Sequence, residues 1–136
     1  MAYVDFDELE LDEYNIHFWR GDPFTGVAVE RFSNGGLRCS MPFENGMANG
    51  ITKEWFESNE IKSETLYVKG AKQGASKEWY ETGALKKESI FECGICISAK
   101  TWEPEGSLKS EFKLAADDPL YSTIAILRAA ATKASH

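Results

Sequence analysis

Aromatic, apolar and charged positions recur along this chain every 24 residues: "KEWYETGALKKE" (Lys77–Glu88) restates the pattern of "KEWFESNEIKSE" (Lys53–Glu64). The matched columns include Gly26, Gly50 and Gly74, then Glu30, Glu54 and Glu78, Phe32, Phe56 and Tyr80, and Leu37, Ile61 and Leu85. Further columns are Arg38, Lys62 and Lys86, Phe43, Tyr67 and Phe91, and Gly46, Gly70 and Gly94. A fourth copy, one residue shorter, supplies Trp102, Gly106, Leu108, Lys109 and Glu111, and "FWRGDPFTG" (Phe18–Gly26) is a partial copy ahead of the first. A fixed period of this kind marks an array of similar supersecondary units.

Within each unit, apolar and polar residues alternate on either side of a short turn signal, which predicts a β-hairpin. Asn34-Gly35 and Thr82-Gly83 are read as two-residue turns, and the second glycine pair, at 46–50 and 70–74, returns the chain to the next hairpin. The fold predicted is mainly β, an antiparallel meander of about four hairpins. With Thr82-Gly83 as the turn, Tyr80 faces Leu85, Trp79 faces Lys86, and Lys77 faces Glu88. Tyr80, Leu85 and Phe91 then form a core face, as do Phe56, Ile61 and Tyr67 one unit earlier, and Leu37, Cys39, Met41 and Phe43 in the first unit. Trp55 and Trp79 lie on the other face, each over a lysine in a cation–π contact and flanked by Lys53–Glu64 and Lys77–Glu88 pairs. Arg31 holds the equivalent place in the first unit and Trp102 in the fourth.

The period changes after residue 117. Asp118 can cap a helix with Pro119 at its first position, and Leu120, Ile124, Leu127 and Ala131 recur on one stripe over 118–134. That stripe is expected to lie against the last hairpins and close an open sheet edge. The chain reads as a single domain over 1–136: an acidic N-terminal arm at 1–17, hairpin repeats at 18–114 and the C-terminal helix.

Charge sharpens this picture. Residues 1–20 hold Asp5, Asp7, Glu8, Glu10, Asp12 and Glu13 against Arg20 alone, so five of the seven net negative charges sit there. Such a segment repels nucleic acid and bilayer headgroups and attracts a basic protein surface, or it merely keeps the protein in solution. Hydrophobic residues make up 43% of the chain and charged ones 27%, a globular composition. No apolar run reaches the roughly 18 residues needed to span a bilayer, and "MAYVDFDELELDEY" lacks the basic start and apolar stretch of a signal peptide, so the expected compartment is the cytoplasm.

Candidate chemistry is sparse. Cys39, Cys93 and Cys96 are odd in number, which fits a reducing compartment, and "CGIC" has C-x-x-C spacing with only His17 and His136 to complete a metal shell. Incidental thiols in a turn are the expectation, with no metal and no cofactor. Glu54 and Glu78 resemble paired carboxylates but are members of a repeated column, and a residue present in every repeat is explained by folding and stacking. His17 beside Glu13 has no nucleophile placed by any motif. No catalytic residue is expected, and an array with few unique polar groups presents a surface.

The unit G-x-x-x-E-W-[YF]-x-x-G-x-[LI]-[KR]-x-E-x-x-[YF]-x-x-G, preceded by "GDPFTG", resembles the MORN-repeat-variant family, which includes the YwqK-type antitoxins or immunity proteins of bacteria. The resemblance covers about residues 18–114. Arg31 for Trp, Ser58-Asn59 for x-Gly, Ser98 for Gly and the shortened fourth copy depart from the pattern. The resemblance implies a hairpin array that neutralises a toxic protein made beside it. The alternative is a MORN-like scaffold binding another cellular protein or a phospholipid, and the net charge argues against the lipid. On the first reading the partner is a cognate toxin with a basic surface. It would meet Asp5, Asp7, Glu8, Glu10, Asp12 and Glu13 together with Arg31, Trp55, Trp79 and Trp102. The tryptophans would instead only cover the back of a single-layer sheet if no partner meets them.

Overall fold

The computed structural model describes residues 3–134, with side chains as far as Ala131. In chain order it contains β1 (Tyr3–Asp5), a 3-10 turn (Phe6–Glu8), β2 (Glu10–Leu11), β3 (His17–Trp19), β4 (Asp22–Pro23), β5 (Gly26–Arg31) and β6 (Leu37–Glu44). There follow β7 (Met47–Ala48), β8 (Gly50–Trp55), β9 (Ile61–Val68), β10 (Ala71–Trp79), β11 (Leu85–Glu92), β12 (Ile95–Trp102), β13 (Leu108–Lys113) and the helix α1 (Pro119–Ala134). The main sheet has the order β1-β5-β6-β8-β9-β10-β11-β12-β13, with β7 paired to β6, and β2-β3-β4 form a small second sheet. Its body is the antiparallel meander that the 24-residue period predicts. Hairpins β5–β6, β8–β9, β10–β11 and β12–β13 are its four units.

Two kinds of turn alternate along the meander, and they fall at the opposite ends from the expectation. Two-residue turns with both residues at positive φ occur at Asn45-Gly46, Lys69-Gly70 and Cys93-Gly94. This is the mirror-image turn whose twist matches that of the flanking strands. The turns at 32–36, 56–60, 80–84 and 103–107 are longer. In each, the first residue's N–H donates to the carbonyl four residues on and its carbonyl accepts from the N–H three residues on, as Tyr80 does with Ala84 and Gly83 at 2.8 and 2.9 Å. The fourth residue is left-handed: Gly35, Asn59, Gly83 and Gly106. Asparagine tolerates that conformation better than other side chains do, which accounts for Asn59 in the glycine column.

The longer turn and the irregularity beside it slip the register by one residue. Lys77 does pair with Glu88, but Trp79 pairs with Leu85 rather than Lys86, and Trp55 pairs with Ile61. A one-residue slip moves side chains to the other face. Leu85 and Ile61 therefore leave the predicted core face for the tryptophan face. Cys39, Met41 and Phe43 keep theirs, while Leu37 pairs with Arg31. The face opposite the tryptophans carries small polar residues mid-sheet, where Thr52 pairs with Thr65, Thr65 with Ser76 and Ser76 with Ser89. Thr52 and Ser89 are buried there, and the Thr65 and Ser76 hydroxyls lie 2.7 Å apart.

Most of the buried apolar side chains gather at the N-terminal end. Val4, Phe24, Ala28 and Phe43 form a cluster with Phe6, Leu9, Trp19, Met41 and Ala48 packed against it. The acidic segment is folded onto this end. Tyr3–Asp5 pair in parallel with Val27–Val29, and Phe6 meets Phe43 edge-on at 5.9 Å. The open ends of the first three units are each fastened by a repeated clasp. Thr25, Asn49 and Gln73, spaced by 24, accept through their side chains from the N–H groups of Asn45, Lys69 and Cys93 at 3.0, 3.0 and 2.8 Å. The carbonyls of Phe24, Ala48 and Lys72 accept from Gly46, Gly70 and Gly94 at 2.8–2.9 Å.

The C-terminal helix is where predicted, with the Asp118 carboxylate accepting from Leu120 N–H at 2.9 Å. Its contact differs. Ile124 is buried, but Leu120 and Leu127 of the predicted stripe stay exposed. Arg128 reaches Glu92 at the end of β11 in an ion pair, and the Tyr121 hydroxyl donates to the Leu114 carbonyl at 3.5 Å. All six residues of β13 are exposed, so the described part of the helix does not cover that edge. Helix phase explains the shift: the seam runs through residues 121, 124 and 128, one step around from the purely aliphatic stripe.

Candidate partner-binding surface

Pairing carries single rows of side chains across the whole main sheet. On the tryptophan face one row runs Asp5, Val29, Ser40, Lys53, Glu64, Lys77, Glu88, Lys100, Glu111, each directly opposite the next. From Lys53 onward the charges alternate without a break, and the Lys53–Glu64 and Lys77–Glu88 ammonium–carboxylate distances are 3.9 and 3.7 Å. These half-exposed pairs contribute little stability, up to about 1 kcal/mol each, but they fix which residue stands opposite which.

Beside this row stand the pairs Arg31–Leu37, Trp55–Ile61, Trp79–Leu85 and Trp102–Leu108. The structure thus brings the four predicted positions together at equivalent places in four hairpins. The predicted contact of tryptophan with lysine is replaced. Arg38 lies over Phe32 at 5.9 Å, Lys62 over Phe56 at 5.7 Å and Lys86 over Tyr80 at 5.6 Å. The same register slip is the cause: it puts the basic residue beside the first turn residue and the aliphatic one opposite tryptophan. Arg31 also donates to the Gly35 carbonyl at 3.0 Å, so its guanidinium is partly engaged in its own turn.

The six N-terminal acids divide in two. Asp5 caps the 3-10 turn, accepting from Asp7 N–H at 3.0 Å while Glu8 accepts from Asp5 N–H at 3.2 Å. One Asp12 carboxylate oxygen accepts from the N–H groups of both Tyr14 and Ile16 at 2.9 Å. Asp7, Glu10 and Glu13 are exposed. Only Asp5 belongs to the charge row, so the acids and the tryptophans are separate parts of the surface.

The chemistry-bearing candidates are scattered. Glu54 accepts from the Ser63 hydroxyl at 3.0 Å, whereas Glu78 stands between Ser63 and Lys87, so the two carboxylates have different neighbours. Cys93 occupies a two-residue turn and Cys96 lies on β12, both as free thiols. No group of three or more metal-ligating side chains occurs among the described residues, and His136 lies outside them. His17 packs between Phe6 and Phe43 at 6.2 and 4.8 Å.

Cys39 is an exception in its electrostatics. It stands between Glu30 and Glu54 in neighbouring strands, and burial first, then Glu54 and Glu30, push its thiol up to about 11. Burial and then the same Glu54 also raise Tyr67. A thiol whose folded pKa lies above its unfolded one supports folding fully below the unfolded value and loses that support as pH rises toward 11. Denaturant midpoints should therefore fall between about pH 9 and 11, and Cys39→Ala should flatten that fall. An identical slope in the variant would mean that other groups carry it.

The alternation of Trp with Lys–Glu pairs was legible in the sequence, but the aliphatic partners Ile61, Leu85 and Leu108 were not. A glycine or asparagine in the fourth place of each long turn is the signal that would have found them, since it marks a type I turn with a bulge.

Comparison with known proteins agrees with these features. The profile of the family described as MORN repeat variant matches residues 48–69 and 72–92, the second and third units. Immunity protein YwqK of Bacillus subtilis (strain 168) is 54% identical over 127 residues, covering 89% of this chain and 82% of that protein. A solved structure of a GtfA/B complex bound to UDP and GlcNAc aligns with 80% of this chain and 26% of its own, at 11% identity and a TM-score of 0.35, too low to bear on fold or function. With four hairpins in one register, a matching repeat profile and a relative similar over nearly its whole length, the chain belongs to the MORN-repeat-variant family.

Proposed function

We propose that this chain is an immunity protein that binds and neutralises a cognate bacterial toxin through its repeat surface, the tryptophan face making the contact. The observation that carries the reading is the row Arg31, Trp55, Trp79, Trp102, held at equivalent positions on a sheet whose register is fixed by cross-strand charge pairs. Tryptophan and arginine are the side chains that most often dominate protein–protein binding energy, and a rigid display lowers the ordering cost of using them. The similarity to Immunity protein YwqK supports the same role. Binding would shield the toxin's active site by occlusion, in the cytoplasm of the cell that makes it, and the immunity protein would need no turnover of its own. The decisive experiment is co-purification with the product of the adjacent reading frame and rescue of growth when the two are co-expressed. Failure to bind that product, or to rescue, would overturn the reading.

The exposed acids act as a steering field for a basic partner. Replacing Asp7, Glu10 and Glu13 by their amides, which leaves the capping residues Asp5, Glu8 and Asp12 in place, should slow association several-fold at low salt and flatten its salt dependence. Dissociation should change little. Stopped-flow association at two ionic strengths reads this directly, and wild-type rates at low salt would refute the steering role.

A further inference from the structure

The main sheet ends on β13, and no strand among the described residues pairs with its outer side. All six of its residues are exposed, and α1 reaches back to Glu92 instead of covering them. An unpaired strand of this kind is a template for another strand unless its side chains forbid it. Those of β13 include Leu108 and Phe112, 54% and 47% exposed. Of the ten large hydrophobic residues left exposed among the described ones, five (Leu108, Phe112, Leu120, Ile126 and Leu127) belong to β13 and α1, so apolar surface is concentrated at this end. The charge row also stops short here. Glu64 stands between Lys53 and Lys77, and Glu88 between Lys77 and Lys100, whereas Glu111 has Lys100 on one side and solvent on the other. Backbone direction is set by Leu114, whose N–H donates inward to the Ile97 carbonyl at 2.8 Å. Inward and outward groups alternate along an antiparallel strand, so the N–H and C=O of Glu111 and Lys113 point out of the edge.

We infer that β13 is a self-association surface, which pairs antiparallel with β13 of a second copy about a two-fold axis at Phe112. Phe112 then meets its own counterpart, Glu111 stands opposite Lys113 of the second copy, and Ser110 opposite its Leu114. The outward groups of Glu111 and Lys113 exchange backbone hydrogen bonds, and Glu111 gains the second lysine that Glu64 and Glu88 already have. Charge and edge geometry select this register. An axis at Glu111 would set two carboxylates against each other, which is destabilising. An axis at Ser110 would bring Glu111 to Lys109, but Lys109 is the additional residue where pairing shifts between Thr101 and Trp102, and it interrupts the edge. Head-to-tail pairing is opposed as well, because the same row ends at the other edge of the sheet on Asp5, a second carboxylate. The contact is therefore isologous and closes at two copies. The axis is normal to the sheet, so both tryptophan faces look the same way and the dimer displays the row Arg31, Trp55, Trp79, Trp102 twice on one side. Strand pairing over so few residues buries less than the roughly 1,000 Å² of a standing interface, so the dimer is a weak one. The inference stands independently of the proposed function.

Sedimentation of the full chain from micromolar to millimolar concentration should show a monomer–dimer equilibrium. Lys113→Glu, which sets like charges against Glu111, and Phe112→Ser should each weaken it at least tenfold while thermal midpoints stay near wild type. The exchange Glu111→Lys/Lys113→Glu should restore the dimer, since it reverses both members of each pair. A protein that stays monomeric throughout overturns the inference, as does a dimer that neither single variant weakens. Restoration of the Glu111→Lys variant by Lys109→Glu instead of Lys113→Glu overturns the register. The edge could also be taken by a strand of the toxin. In that case the Glu111 and Lys113 amides would be protected from exchange only in the complex with the adjacent-frame product, and self-association would be refuted.

Discussion

Phe24→Ala is expected to cost about 3–5 kcal/mol of folding free energy, a large part of the 5–15 kcal/mol typical of a domain. Phe24 is 2% exposed, with its ring 5.8 Å from Phe43 and 6.2 Å from Trp19. Its N–H donates to His17 at 2.9 Å and its carbonyl accepts from Gly46 at 2.8 Å, so the backbone cannot easily collapse into the cavity that truncation leaves. That rigidity places the cost near the upper end of the range. Tyr80→Ala should cost less, because Tyr80 is only partly buried, though its hydroxyl gives up a 2.8 Å bond to the Trp102 carbonyl. Lys77→Ala should cost least, since its partner Glu88 is exposed enough to hydrate. Urea denaturation of the three variants reads the order; a Tyr80 loss equal to that of Phe24 would show that the hairpins bury far more than this structure displays.

The second large effect is on binding. Trp55→Ala and Trp79→Ala should each raise the toxin's dissociation rate by about thirtyfold, equivalent to roughly 2 kcal/mol, with little change in association rate. The two lie in the middle hairpins, whereas Trp102 stands next to the exposed β13 and should matter less. Stability controls are needed, because each tryptophan also stands directly opposite an aliphatic residue, Ile61 or Leu85, in the neighbouring strand. Folded variants that dissociate at the wild-type rate would reduce the tryptophans to sheet covering.

The period of 24 disclosed the meander, its unit count and the Lys–Glu pairing, because each depends only on which residues recur. Face assignment failed at Ile61 and Leu85, since it depends on counting residues through a turn, while the irregularity beside the turn takes up the additional residue, so that pairs farther from it, such as Lys77–Glu88, keep the predicted register. The N-terminal end was opaque for a different reason. Val4, Phe6 and Phe43 meet through a parallel pairing of β1 with β5, a contact far apart in sequence with no local periodicity to reveal it. The acids there read as an extended arm because charge dominates the segment, although its few apolar residues, Val4, Phe6 and Leu9, decide where it goes.

The clasp of Thr25, Asn49 and Gln73 has a direction. Each accepts from the turn of its own unit's far end, and that turn's glycine then binds the carbonyl just ahead of the acceptor, so every hairpin closes onto the residues that open it. During synthesis the docking partner of each emerging turn has already left the ribosome. Each hairpin can therefore close as soon as its own second strand and the turn after it have been made, beginning at the aromatic N-terminal end.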